Sequence, residues 1–218
     1  ISSAWCLKDA DFGPYYAEAE ALYQVHGQSS TDPTEPAHSS EYPFPAIEHQ
    51  SQVQDVVTAI EKQGLHPTSI PLSLNLQAED PTGDAEIYGI TPALKYPNVT
   101  LKTGAKVVCL HTNPSGRAVK GVEAEIGGQS YLFLADIIVL ACGAVNSAAL
   151  LLHSRNDLHP QGLANSSDLV GRNLMKGLMT AVVQLSKKQN SGVFSRSIYV
   201  NDFYWGDKDF PYPMGHIY

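Results

Sequence analysis

Residues 136–153 have the sequence DIIVLACGAVNSAALLLH and give the clearest indication of fold in the chain. Five apolar residues, 137–141, precede Cys142-Gly143-Ala144, and a second apolar run with small residues, 148–152, follows at once. This order predicts a fully buried strand, a tight turn and a helix. Nucleotides bind at such junctions in α/β sheets, because a helix N-terminus attracts phosphate and a glycine lets the ligand approach the backbone.

Three β-rich segments lead into this stretch, at 106–112, 119–126 and 129–134. Turn sequences separate them: Asn113-Pro114-Ser115-Gly116 and then Gly127-Gly128. The pattern predicts a three-stranded antiparallel meander over 105–134. On pattern alone, a generic α+β domain explains these segments equally well.

Outside this region the sequence predicts shorter elements. A helix over 14–26 would start near Pro14 and end at Gly27, and a second would start with Ser51 as its cap and end at Gly64. The other expectations are an extended surface loop over 28–49, an edge strand or an irregular crossing within 65–74, a short helix over 84–94 capped by Asp84, and β structure at 181–186 and 195–205.

Composition limits the classes of partner. The chain has 14 basic and 22 acidic residues, and its basic residues are scattered, so a nucleic-acid partner is not expected. No apolar run reaches the roughly 18 residues of a membrane span. Apolar residues make up 43% and charged residues 17%, which indicates a body with large buried or interface surfaces.

No motif predicts a metal site or a catalytic residue. Cys6, Cys109 and Cys142 are widely spaced, so inert thiols are expected rather than a zinc site or a disulfide framework. None of the eight histidines lies in a metal-binding or hydrolase motif, and no Gly-x-Gly-x-x-Gly loop is present. His216 is the histidine closest to a functional context, because it follows an aromatic run.

That run contains six aromatic residues, and two roles are considered for them. They could close a sheet face or an interface, which is the favoured one, or provide a stacking surface for a pyranose ring. The six residues are Tyr199, Phe203, Tyr204, Trp205, Phe210 and Tyr212.

The order of these segments resembles the glucose-methanol-choline (GMC) family of FAD-dependent oxidoreductases. The resemblance extends over nearly all 218 residues and rests on order and spacing. The segments that carry it are YYAEAEALYQVHG (15–27), DPTEP (32–36), YPFP (42–45), PNVTL (97–101), GAKV (104–107), GVE (121–123), IIVLACGAVNSAALLLHS (137–154) and LVGRNLM (169–175).

The resemblance implies an α+β fold class, in which an α/β FAD-binding part with the antiparallel meander adjoins part of a substrate-binding sheet lobe. It assigns 84–180 to the FAD-binding domain, and 1–83 with 181–218 to the substrate-binding or cap lobe. Family members are longer near 77–83, so this chain is either shortened there or lacks residues between Asn75 and Asp84.

The resemblance also implies FAD contacts, with Val107 beside the adenine. It places Ala141, Cys142 and Gly143 in the turn next to the ribose and pyrophosphate, and Gly171 and Asn173 near the flavin. Many members have a histidine a few residues later, where this chain has Lys176-Gly177. Asn146 is expected to cap the helix that follows the turn.

The implied function is oxidation of the CH–OH group of a sugar, polyol or other small alcohol, with hydride transfer to flavin. The phosphate-binding loop and the catalytic histidine would lie outside this chain, so the chain alone is expected to be inactive and to bind FAD weakly or not at all. The alternative is a non-catalytic binding or interaction domain on a flavoprotein-like scaffold, with carbohydrate as a candidate ligand. The electron acceptor, the oligomeric state and the compartment are left open.

Overall fold

The computed structural model describes residues 6–35, 38, 40–74, 83–182 and 196–218. Two compact units form, one from Ile1–Val99 with Gln184–Tyr218 and the other from Thr100–Val183. Helices are combined with small, mainly antiparallel sheets, so the described residues are of the mixed α+β class. Residues 84–99, which the sequence groups with the FAD-binding part, belong to the first unit.

The elements follow one another in a simple order. They are α1 (Asp9–Leu22), β1 (His26–Gly27), β2 (Phe44–Pro45), α2 (Ser51–Glu61), β3 (Pro67–Ser69), a π-helical turn (Glu86–Ile90), α3 (Thr91–Ala93), β4 (Ala105–Thr112), β5 (Val119–Ile126), β6 (Gln129–Leu134), α4 (Gly143–His153) and β7 (Ile198–Val200).

Helix α1 begins and ends earlier than predicted. The carboxylate of Asp11 accepts the backbone N–H of Lys8 at 2.8 Å, and acidic side chains in a first turn suit the helix dipole. Pro14 therefore lies inside the helix rather than in its first turn. The helix stops before Gln24, which has φ +50°. Gly27 is not the helix end: it lies in β1, where a Cβ would meet the Tyr42 ring at 2.6 Å.

The second helix is confirmed with a different cap. Gln50 occupies the cap position of α2 without a side-chain hydrogen bond, so the predicted capping by Ser51 is wrong. Val53 and Val57 are buried, whereas Val56 is 49% exposed. Gly64, with φ +79°, follows the helix in the left-handed conformation that commonly ends a helix.

The first unit contains short sheets and a confirmed cap. The predicted edge strand appears as β3, which pairs antiparallel with β7. The pair β1–β2 is parallel. The carboxylate of Asp84 accepts the N–H groups of Glu86 and Ile87 at 2.9 and 3.0 Å, as the predicted cap requires. Of the predicted β segments near the C-terminus, 183–195 lie outside the described residues.

The predicted meander is confirmed in the second unit. Strands β4, β5 and β6 form one antiparallel sheet in sequence order, with a register shift between Val107 and Cys109. Helix α4 packs on β4. Leu110 on β4 and Ala124 on β5 are buried in this unit, at 3% and 2% exposed.

The strand predicted over 137–141 is not present. These residues have no regular structure, and Ile137 and Val139 are 83% and 80% exposed. A strand buried on both faces needs neighbouring strands and covering helices. Among the described residues, none pairs with this segment.

The helix predicted after this segment is confirmed, but it starts earlier than its predicted cap. Helix α4 begins at Gly143, so Asn146 lies in its first turn and the capping role predicted for it is wrong. Ser147 instead accepts the backbone N–H of Cys142 through its Oγ, at 3.3 Å.

Few apolar side chains are buried. Within the described ranges the buried apolar residues are Val53, Val57, Leu110, Ala124, Leu163 and Val200. Many larger ones are exposed, and Leu134, Leu178 and Val182 are 75%, 92% and 90% exposed. None of the described helices is both long and apolar enough to cross a membrane.

Candidate functional site

The predicted turn at Ala141, Cys142 and Gly143 leads directly into the N-terminus of α4. All three residues are exposed, and Gly143 has φ +76°. No atom lies within 4 Å of where a Cβ on Gly143 would stand. Cys142 occupies the cap position without a side-chain hydrogen bond to the helix. The first N–H groups of α4 thus have no capping side chain from Cys142, and an uncapped helix start suits an anionic group.

Val107 lies in β4, on the neighbouring element. It pairs in register with Ala124 and is 39% exposed. The contact between β4 and α4 is fixed at Ser154, whose Oγ accepts the backbone N–H of Leu110 at 2.9 Å and donates to the carbonyl of Leu150 at 2.7 Å. Ser154 is 1% exposed, so a buried hydroxyl joins the strand edge to the helix end. No pattern in the sequence predicted this role of Ser154.

Gly171 and Asn173 lie in a loop that follows α4. A Cβ on Gly171 would lie 3.1 Å from the Leu152 side chain, so this glycine packs against the C-terminal part of the helix. Asn173 is exposed and has φ +56°.

The same loop is held by a buried asparagine and has an unusual backbone. Asn165 donates from Nδ2 to the carbonyl of Gln161 at 2.8 Å and accepts the N–H of Val170 at 3.0 Å. Ala164 and Asp168 both have φ +55°, in a region that non-glycine residues rarely adopt. Strained backbone of this kind concentrates at functional sites, and no sequence pattern predicted it.

The six residues predicted to contact FAD all lie in the second unit, but they do not form one cluster. Gly143 begins α4, whereas Gly171 packs beside its last turns, so the helix separates these positions by about 13 Å at 1.5 Å per residue. Only an extended ligand could contact both.

A cleft of about 340 Å³ lies where β4 meets the segment after α4. Its walls are residues 109–114 and 154–158. Asn156 donates to Thr112 Oγ1 at 3.3 Å, and a His159 ring nitrogen lies 2.8 Å from the carbonyl of Gly116. The first contact joins the two walls of the cleft, and the second joins the segments just beyond them.

The first unit contains a separate polar cluster. Asp32 is 5% exposed and accepts hydrogen bonds from the N–H and Oγ1 of Thr34, at 2.8 and 2.7 Å, and from Asn201 Nδ2 at 2.5 Å. Burial acts to raise the pKa of Asp32, but these hydrogen bonds and one from Tyr199 lower it overall. Burial and the Asp32 charge in turn raise the pKa of Tyr199. The cluster thus holds an ionised carboxylate beside neutral hydroxyl and amide groups.

The aromatic run does not form a buried group. Tyr204 and Trp205 meet edge to face with ring centres 4.9 Å apart, and Phe210 and Tyr212 do so at 5.3 Å. Trp205 and Tyr212 are 67% and 63% exposed. The His216 ring lies 5.2 Å from that of Tyr218. Exposed aromatic faces remain available for a ligand or another protein surface.

Three enzymes are among the characterised proteins to which the chain is similar in sequence. The 6'''-hydroxyparomomycin C oxidase of Streptomyces lividus is 30% identical over 254 residues, covering 100% of this chain and 44% of that enzyme. The 2-methyl-1,2-propanediol dehydrogenase of Mycolicibacterium austroafricanum is 26% identical, covering 93% and 40%. The fructose dehydrogenase large subunit of Gluconobacter japonicus is 28% identical, covering 80% and 35%.

These relatives are longer proteins, and the chain spans between 35% and 44% of their length. No protein-family model matches the chain. All three relatives are named as oxidases or dehydrogenases, and the chain is therefore related in sequence to oxidoreductases.

Proposed function

We propose that this chain is the middle part of a FAD-dependent oxidoreductase of the GMC type, which oxidises the CH–OH group of a sugar or polyol. The observation that carries this proposal is the open N-terminus of α4, reached through Gly143, in a chain related to alcohol-oxidising enzymes. When bound, FAD would accept hydride from the alcohol carbon. The chain's own residues would hold the cofactor rather than carry out the proton transfer.

The structural fit of a dinucleotide begins at Gly143. A phosphate placed at the start of α4 would meet unpaired N–H groups and the positive end of the helix dipole. Because no atom occupies the Cβ position of Gly143, a ligand could approach the backbone closely there. Val107, half-exposed on the adjoining β4, would contact the adenine.

The separation of the predicted contacts fits an extended cofactor. FAD joins an adenosine half to a flavin half through a pyrophosphate, so one molecule could reach both ends of a helix. In this proposal Ala141, Cys142 and Gly143 contact the adenosine side, and Gly171 and Asn173 lie toward the flavin. The left-handed conformations of Gly143, Gly171 and Asn173 set the backbone path at both places.

The exposed apolar segment supports the proposal that further polypeptide completes this unit. Residues 137–141 have the composition of a buried strand, but Ile137, Val139 and Ala141 are exposed, as is Leu134 before them. Apolar side chains exposed to this degree indicate a contact with another surface. In the proposal, these residues join a nucleotide-binding sheet whose other strands, Gly-rich loop and catalytic histidine are supplied by the rest of the enzyme.

The substrate class follows from the relatives. Their names specify an aminoglycoside, a diol and a sugar, and each carries alcohol groups. The alignment with the S. lividus oxidase takes in 254 positions against 218 residues in this chain, so at least 36 positions of that alignment have no residue from this chain. A difference of this size supports the expectation that the chain is either a shorter variant near 77–83 or lacks residues between Asn75 and Asp84.

The test uses the intact protein that contains this sequence. We expect the purified protein to show flavin absorbance, and fructose or 2-methyl-1,2-propanediol to bleach it in the absence of an acceptor. Gly143→Ala should lower FAD affinity at least tenfold, because the methyl group stands where the cofactor approaches. The direct measurement is flavin content after dialysis, followed by titration with added FAD.

Gly104→Ala is the matched control. Gly104 has φ +62° and also has open space at its Cβ position, so both substitutions impose a similar backbone cost of about 1–2 kcal/mol. Equal loss of FAD in both variants would contradict the assignment of Gly143 as a cofactor contact. An intact protein without flavin, whose tryptophan fluorescence changes on adding sugar, would favour the non-catalytic binding domain instead.

A further inference from the structure

Two neighbouring strands bring three metal-binding side chains together on one face of the meander. The side-chain donor atoms of Cys109, His111 and Glu123 all lie within 4.8 Å of one another. His111 Nε2 and Glu123 Oε2 are 2.8 Å apart. No spacing rule finds this group, because two of its members come from one strand and the third comes from the next.

Strand register creates the cluster. Cys109 and His111 are two residues apart on β4, so their side chains share one face, and Glu123 on β5 lies directly opposite Cys109. The register shift between Val107 and Cys109 is required for this pairing. In a register without this shift, Cys109 would lie opposite Val122, on the other face of the sheet from the Glu123 carboxylate.

The carboxylate is held in place by the third strand. Ser130 on β6 donates through its Oγ to Glu123 Oε1 at 2.8 Å, which leaves Oε2 directed at His111. Metal ligands in proteins are commonly oriented by such outer hydrogen bonds. An ordinary His–Glu ion pair would explain the 2.8 Å contact, but it would require neither the thiol beside it nor the orienting hydroxyl.

We propose that Cys109, His111 and Glu123 form a binding site for Zn²⁺ or a similar transition-metal ion. Tetrahedral zinc with Zn–N and Zn–O bonds of about 2.0–2.2 Å and a Zn–S bond of about 2.3 Å places its ligands roughly 3.3–3.6 Å apart. The His–Glu pair would open slightly and the thiol would move inward. Side-chain rotation on a fixed sheet can supply both movements.

The three donor atoms indicate which metal would bind and which protonation state each ligand would have. Thiolate with imidazole and carboxylate suits zinc rather than calcium or magnesium, which take oxygen ligands. The Cys109 S–H proton leaves to solvent as the sulfur–metal bond forms, and His111 binds through a deprotonated Nε2. Three protein ligands leave a fourth position for water. The His111 side chain is 49% exposed, so the ion has a direct path from solvent.

The experiment adds Zn²⁺ alone, and separately Co²⁺ alone, to the intact, metal-stripped protein. We expect saturable one-to-one binding by calorimetry and, with Co²⁺, a thiolate-to-metal charge-transfer band. Cys109→Ser should remove the band, and Glu123→Gln should weaken binding at least tenfold. Ser130→Ala should weaken it by about 10-fold while keeping the band, because Ser130 only positions the carboxylate.

Two control variants remove similar groups outside the cluster. Cys6→Ser removes an exposed thiol in the other unit, and Glu125→Gln removes an exposed carboxylate on the same strand. Both should bind the metal as the unchanged protein does. Absence of the charge-transfer band in the unchanged protein would overturn the proposal. Equal affinity in Glu123→Gln and the unchanged protein would mean an adventitious ion only. The readout is independent of FAD, so either proposal can fail alone.

Discussion

At the scale of single residues, Asp32 shows how tertiary contacts change the chemistry of a side chain. In the sequence it lies in a proline-rich segment predicted as an exposed loop. In the structure it is nearly buried, and Asn201, far along the chain, donates to its carboxylate. The hydrogen bonds outweigh burial, so the pKa of Asp32 falls below its ordinary value of 3.8.

This lowered pKa predicts a pH-dependent contribution to folding stability. The folded state favours ionised Asp32, so its contribution is fully present above pH 3.8 and is lost as the pH falls through the lower pKa of the folded protein. Asp32→Asn should therefore destabilise the protein at neutral pH and reduce the change in stability below about pH 4. The free energy of unfolding by urea, measured across this pH range for both proteins, tests this prediction.

Asp55→Asn provides the comparison, because Asp55 is an exposed carboxylate on α2. In this variant, the stability at neutral pH and its decrease at low pH should both stay close to those of the unchanged protein. If stability falls equally steeply at low pH with and without the Asp32 carboxylate, the lowered pKa assigned to Asp32 is contradicted.

Two other residues were given the wrong role because the prediction rested on residue type alone. Gly27 has the residue type of a helix stop, yet it is required at β1 because the Tyr42 ring leaves no room for a Cβ. Asn146 has the residue type of a helix cap, yet α4 begins three residues earlier. Both errors arise because the same residue type serves several local purposes, and neighbours distant in sequence decide among them.

At the scale of elements, Ser154 controls how α4 meets the meander. Strand β4 pairs with β5 on one side only, so its other edge presents backbone N–H groups without a strand partner. Ser154 Oγ accepts one of them, from Leu110, at a position that is 1% exposed. A buried hydrogen bond thereby joins the end of the helix to the sheet.

Ser154→Ala should lower the free energy of unfolding by about 1–3 kcal/mol, because it leaves the Leu110 N–H buried without an acceptor. Chemical denaturation with a probe in the second unit measures this loss. Ser115→Ala removes an exposed hydroxyl bonded to Asn113 and should change stability by no more than about 0.5 kcal/mol. Equal losses in the two variants would show that the hydrogen bond at Ser154 does not anchor the helix.

The meander and the 137–141 segment show what pattern can and cannot predict for an element. Strands β4 to β6 pair with sequence neighbours through short turns, so alternation and Gly127-Gly128 were sufficient to predict the sheet. Residues 137–141 carry an equally clear strand composition. A buried strand requires partners distant in sequence, and none of the described residues supplies them.

At the scale of the whole molecule, the distribution of apolar surface is the main feature. The hydrophobic content of 43% indicated large buried or interface surfaces, yet few large apolar side chains are buried within the described ranges. The exposed ones include Ile137, Val139 and Val145, which flank the proposed cofactor contacts. The same surface that would complete the sheet would therefore also enclose the cofactor.

Purified alone, this chain should hold FAD weakly or not at all, because in the proposal the rest of the enzyme supplies the Gly-rich loop and covers the exposed Ile137 and Val139. Visible absorbance after dialysis against buffer with and without FAD measures this. The intact protein, treated in parallel, should retain its flavin. A stoichiometric yellow colour in the chain alone would show that this chain by itself suffices for cofactor binding.

The sequence by itself determined the meander, the turn at Gly143, the helix after it and the relationship to oxidoreductases, since these depend on local pattern and on residue order. The tertiary structure alone decided the hydroxyl that joins α4 to β4, the network around Asp32 and the grouping of Cys109 and His111 with Glu123. Each of these depends on strand register or on contacts between distant residues. Hydrogen bonds and packing fix such contacts only after the chain folds, so no one-dimensional pattern records them.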